Sequence, residues 1–137
     1  MLIFNLRLSL CLAAIALAGC SRPGGAPTLP ASGTVTYKGA PVADVQVVFQ
    51  PKVGRPAMGD TDADGRFTLT TFQPDDGAVP GVHKVGIVDR QRKWNPDPSA
   101  APPPSRFPER YQSVAATPWE VEVKEGSDND FKLEMVD

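Results

Sequence analysis

Cysteine is scarce. Cys11 and Cys20 are the only two in 137 residues, and both lie near the start of the chain. The remainder has no thiol for a disulfide framework, a thiolate metal site or a cysteine nucleophile. Histidine is scarcer still, with His83 alone, so Ser-His-Asp and Cys-His arrangements are improbable. Charge of one sign is lacking too: 14 Lys and Arg face 16 Asp and Glu, for a formal net charge of −2. Nucleic acid is therefore not the expected main partner, since phosphate binding needs a clustered basic surplus. Fifteen prolines and twelve glycines exclude a helical bundle, because both residues break helix interiors. What remains is a chain of one-domain length with 41% hydrophobic residues, enough for a core.

The first apolar stretch is an address. Residues 1–19 read as a secretory signal, with Arg7 before an unbroken apolar run over 8–18. The run is too short to span about 30 Å of hydrocarbon. It ends in Leu17-Ala18-Gly19-Cys20, which resembles the bacterial lipobox: an aliphatic residue, two small residues, then the cysteine that receives lipid. Cys20 is the expected acylated amino terminus. An ordinary secretory signal with an incidental cysteine is the plainer reading. Two acyl chains at about 0.8 kcal/mol per buried methylene give on the order of 20 kcal/mol of gross anchoring. Ser21 after the cysteine points to the outer membrane or the periplasmic face rather than the inner membrane. Residues 20–31 form a tether carrying Pro23, Gly24, Gly25, Pro27 and Pro30. Extended at about 3.1 Å per residue, the stretch after Cys20 reaches roughly 34 Å.

From Gly33 onward apolar and polar residues alternate with period two, between turn signals. Strands are expected over 34–37, 45–49, 57–61, 66–70, 82–89, 119–123 and 131–135. Glu120, Glu122, Lys132 and Glu134 alternate with apolar neighbours, which means sheets with one wet face. Antiparallel sheets tolerate that, and two such sheets must cover each other's apolar faces. The expected fold is an all-β, seven-stranded antiparallel β-sandwich over 32–137. In such a chain the connections alternate between the two ends. The turn at Lys38-Gly39, the turn over 62–65 and the long loop after Asp89 then lie opposite the tether.

The order of short motifs carries a resemblance. Ser32-Gly33-Thr34-Val35 is followed by Gly39-Ala40-Pro41-Val42, then 45–49, then Thr61-Asp62-Ala63-Asp64-Gly65-Arg66-Phe67, then Pro80-Gly81-Val82-His83-Lys84-Val85. This resembles the carboxypeptidase regulatory-like domain, a transthyretin-like (prealbumin-like) sandwich, and above all small bacterial lipoproteins built from that domain alone. Phe107-Pro108-Glu109-Arg110-Tyr111 and Glu120-Val121-Glu122-Val123 extend the resemblance over almost the whole of 32–137. It implies a fold far more than an activity. Transthyretin-like hydroxyisourate hydrolases use more than one histidine and a terminal Tyr-Arg-Gly-Ser; here the residues are Glu134-Met135-Val136-Asp137. The resemblance does not extend to that active site.

Two features invite a ligand. Asp60-Thr61-Asp62-Ala63-Asp64-Gly65 matches the first half of an EF-hand loop, with Asp60, Asp62 and Asp64 as calcium candidates. The twelfth position is Thr71 rather than glutamate, and a strand follows Gly65 at once. A hairpin turn is favoured over weak calcium binding. The second feature is the loop over 90–118, which carries seven prolines and five basic residues against two acids. The last segment, 119–137, has two lysines against seven acids. Trp94, Arg92, Lys93 and Tyr111 are candidate contacts for a glycan or peptide. Alternatively the loop is solvated and its aromatics pack back on the sandwich. His83 shares a strand face with Val85 and Ile87, where a packed histidine is favoured over a metal ligand. No cofactor is expected. The expected function is a non-catalytic, lipid-anchored module of the cell envelope, with the membrane as partner and an envelope protein or glycan as second partner. The alternative is a carbohydrate- or peptide-binding lipoprotein using 90–118.

Overall fold

The computed structural model describes residues 26–92 and 96–137. The leader 1–19, Cys20, and the loop candidates Lys93 and Trp94 lie outside these residues. Eight strands follow in order: β1 (Ser32–Tyr37), β2 (Ala40–Pro41), β3 (Val45–Pro51), β4 (Ala57–Asp60), β5 (Arg66–Thr68), β6 (Gly81–Asp89), β7 (Glu120–Val123) and β8 (Asp130–Met135). Among the described residues a 3₁₀ turn, Glu109–Gln112, interrupts the long loop.

The strands form two four-stranded sheets. One has the order β4-β3-β6-β7 and is wholly antiparallel. The other is built on β1, which pairs with β8, β5 and β2. β8 runs along the full length of β1, from Ser32↔Asp130 to Tyr37↔Met135. The opposite edge of β1 is shared by β5 below and β2 above. Val35 joins them there, donating its N–H to Gly65 O and accepting from Val42 N–H.

Period-two burial builds the core. Val45, Val47 and Phe49 point inward from β3, and His83, Val85 and Ile87 from β6. Val35, Phe67, Leu133 and Met135 meet them from the other sheet. Phe49 sits at the centre, its ring 6.1 Å from Phe67 and 5.4 Å from Phe131. Such buried aromatics are the largest single contributions to a core of this size. The wet faces are where the alternation put them: Glu120, Glu122, Lys132 and Glu134 are all exposed.

Two expectations need correction. The described residues form eight strands rather than seven, because Ala40–Pro41 closes a hairpin with the end of β1 across Lys38 and Gly39, both at positive φ. The sandwich is also not wholly antiparallel, since β8 lies parallel to β1. Side-chain alternation specifies which face is buried; it carries no information on strand direction. A smaller difference is that β5 stops at Thr68. Leu69 then donates to Ala31 O, and Thr70 exchanges two backbone bonds with Met58 of β4, which stitches the two sheets at their shared corner.

The two ends of the sandwich are distinct. At one end, Leu29 and Ala78 exchange both backbone hydrogen bonds and fix the chain where it joins β1. At the other end, Lys38 N–H reaches Met135 O, Thr61 N–H reaches Val45 O and Arg90 N–H reaches Asp44 O. The turn at Lys38-Gly39, the 62–65 turn and the start of the long loop therefore gather opposite Leu29, as the connection order predicts.

Gly77 holds the Leu29 end. Its φ is +91°, and a Cβ there would run into the Leu29 carbonyl and the Pro30 backbone. Gly39 also has positive φ, +81°, but open space around it. Gly77→Ala is expected to cost about 2–4 kcal/mol and Gly39→Ala only about 1 kcal/mol, measured by urea unfolding.

Candidate functional site

The basic loop folds back on the protein. Asp89, the last residue of β6, has a side chain only 2% exposed. Arg106 reaches across the loop and binds it through two of its nitrogens, Nε to Oδ2 at 2.9 Å and Nη2 to Oδ1 at 2.5 Å. Gln91 N–H adds a third bond to Oδ1 at 3.0 Å. The bound guanidinium holds the Asp89 carboxyl below the ordinary carboxylate range and raises Arg106 in turn. Arg106 also lies over the Phe107 ring at 4.7 Å. Phe107 is buried and meets Tyr37 edge-on at 5.6 Å.

Tyr111 is corrected as a ligand contact. It is 2% exposed, with its ring centroid 4.5 Å from that of Trp119. Its hydroxyl accepts from Val136 N–H at 3.1 Å and from Arg110 Nη2 at 3.3 Å. The 3₁₀ turn delivers this side chain to the core, and a Pro-rich segment gave no local sign of it.

The loop's charge is largely engaged. Arg106 neutralises Asp89, Arg90 pairs with Asp60 at 3.3 Å, and Arg110 donates to Val136 O. Of the candidate contacts, Arg92 alone is both described and exposed. Three of the loop's four arginines are thus engaged within the protein.

Asp60 ends β4, and Asp62 and Asp64 lie in the turn that follows. Asp62 Oδ1 accepts from Asp64 N–H and Arg66 N–H, each at 2.9 Å, and Asp62 O accepts from Gly65 N–H. Gly65 has φ +73°, the left-handed geometry such a turn requires. Asp60 faces Arg90. Thr71, at the twelfth position, donates its hydroxyl to Gly77 O. Among the described residues no three His, Cys, Asp or Glu are grouped to hold a metal ion.

His83 is a core residue and wholly buried. It lies between Pro51 and Val121 across the sheet, with the Phe49 ring 5.8 Å away. Nε2 is 2.7 Å from Val79 O, so the proton resides on Nε2, because a carbonyl can only accept. Nδ1 has no partner.

A concavity lies elsewhere among the described residues. A groove of about 770 Å³ runs outside the corner where β4 and β5 cross. Arg66, Asp60, Asp62, Thr68 and Gln46 line its upper part, and Arg55, Thr71 and Asp75 its lower part, with Met58 between. Charges of both signs and several hydroxyls suit a polar, uncharged or zwitterionic ligand better than an ion. Neither the strands nor the turn signals suggested this groove, because it depends on how the sheets join.

Comparison of the chain with family models, with curated proteins and with solved structures finds no match in any of the three.

The Asp89–Arg106 pair makes stability depend on acid. A carboxyl whose folded pKa is depressed contributes fully above its unfolded value of about 3.9, and that contribution is lost as pH falls through the folded value. Asp89→Asn is expected to lower stability at pH 7 by about 2 kcal/mol, less than a fully buried pair because Arg106 is 35% exposed. It should also flatten the fall in urea midpoint below about pH 5 and open the 96–106 segment to limited proteolysis. A parallel acid fall in wild type and variant would refute this assignment.

Proposed function

We propose that the chain is a lipid-anchored, non-catalytic β-sandwich of the bacterial cell envelope, acylated at Cys20 and working as an interaction or structural module. The reading takes the fold to be of the carboxypeptidase regulatory-like, transthyretin-like kind. The motif order and the two facing sheets support it. Family membership is carried by the sequence resemblance alone.

The observation that carries the reading is the polarity of the sandwich. Leu29, nine residues after Cys20, is held against Ala78 at one end. The turns at Lys38-Gly39 and 62–65 and the start of the long loop are at the other. An anchor on Cys20 leaves those turns facing away from the bilayer, with the β4–β5 groove opening on the flank between the two ends. The single histidine supports a non-catalytic role, because it is enclosed by the core and its Nε2 is bound to Val79 O. A peptide or glycan reading draws on the groove and on exposed Arg92 rather than on Tyr111.

Intact mass of the membrane-extracted protein tests the anchor. The expected species starts at Cys20 and carries a diacylglyceryl group, and Cys20→Ser abolishes the modification. A mature chain with an unmodified amino terminus would overturn the reading.

A further inference from the structure

The Leu29 end of the sandwich carries an exposed apolar tip flanked by cations. The β3–β4 connection projects Val53, which is 88% exposed, between Lys52 and Arg55, both exposed as well. Beside it stands Phe72, 38% exposed, with the Arg55 guanidinium 5.7 Å from its ring centroid. A Cβ added at Gly54 would just reach Val79, the neighbour of the Ala78 that binds Leu29. Val53, Phe72, Lys52 and Arg55 thus lie at the point where the tether joins the domain.

We propose that this tip is a membrane-seating surface that touches the bilayer bearing the Cys20 lipid. The inference rests on the lipid-anchor reading. Val53 and Phe72 insert into the headgroup–acyl boundary, while Lys52 and Arg55 bind the phosphates of anionic headgroups. Such pairing of apolar and basic residues is what an interfacial site requires, and a tethered domain meets that interface at very high effective concentration. Acids set the tilt. Asp75 is exposed near Phe72, and the β7–β8 turn brings Glu125, Asp128 and Asp130 to the same end. Asp76 is engaged by the backbone N–H groups of Thr71, Phe72 and Gln73. Repulsion between the β7–β8 turn and anionic lipid leans the domain onto its β3–β4 side. A seated domain holds the β4–β5 groove at a fixed height and orientation instead of letting it swing on the tether.

The test uses the full-length protein purified from membranes with Val53→Cys labelled by an environment-sensitive fluorophore. The matching protein carries Asp64→Cys in the far turn. Once the leader is removed and Cys20 acylated, the introduced thiol is the only one. Both are reconstituted into phosphatidylethanolamine–phosphatidylglycerol vesicles containing headgroup-nitroxide lipid. Quenching at position 53 is expected to exceed that at 64 by about threefold or more, with a blue-shifted emission. Adding Lys52→Glu and Arg55→Glu is expected to bring it down towards the value at 64. Equal quenching at the two positions in acylated protein overturns the seat and leaves the anchor standing. Undiminished quenching after the double charge reversal overturns the role given to the two cations. Protein that lacks the acyl mass and does not float with the vesicles overturns the anchor reading and the seat with it.

Discussion

Saturation of β1 on both edges is the constraint from which the rest of the structure follows. β8 occupies one edge along its whole length, and β5 and β2 divide the other. This arrangement requires a position without a side chain, and Gly33 supplies it: a Cβ there would collide with the Phe131 carbonyl oxygen and the Phe67 ring. It also requires the chain to leave the second sheet after β7 and return beside its own first strand. The turn that does so is held by one side chain. Asn129, at φ +48°, accepts from Lys124 N–H and donates to Lys124 O, both at 3.1 Å. β1 itself is thus closed to pairing with another chain, and the sheet's outer edges fall on β8 and on the short β5 and β2.

The loop after β6 shows why charge counted along a chain and charge presented on a surface differ. Its arginines answer a buried carboxylate, an exposed carboxylate and a backbone carbonyl in turn. Its aromatics Phe107 and Tyr111 close the side of the core beside Tyr37 and Trp119. A segment rich in proline still folds when it has such fixed points, because proline lowers the entropy that ordering must overcome. Its role in the described residues is that of a strap over the sandwich.

Much of the fold was legible in the residues themselves. Val45, Val47 and Phe49, or Trp119, Val121 and Val123, declare a strand and its inward face through alternation alone. Asp62 and Gly65 declare a turn through their local hydrogen bonding and backbone preference. Ala40–Pro41 could not be read, since two exposed residues have no periodicity. The parallel pairing of β1 with β8, the bond from Arg106 to Asp89 and the groove at the β4–β5 corner were equally out of reach. Each arises between residues far apart in the chain, where local pattern is silent. The choice for Tyr111 between a ligand contact and packing back on the sandwich was open for the same reason: its burial depends on Trp119 and Val136 rather than on its neighbours.

The parallel alignment of β1 with β8 has a mechanical consequence. A pull on the segment before Ser32, resisted by a load at the far turns, acts lengthwise along β1. Ladder bonds from Ser32↔Asp130 to Tyr37↔Met135 then bear the strain together, in shear, rather than peeling one after another. A domain hung by its first strand is in this way toughest along the line on which it would be tugged.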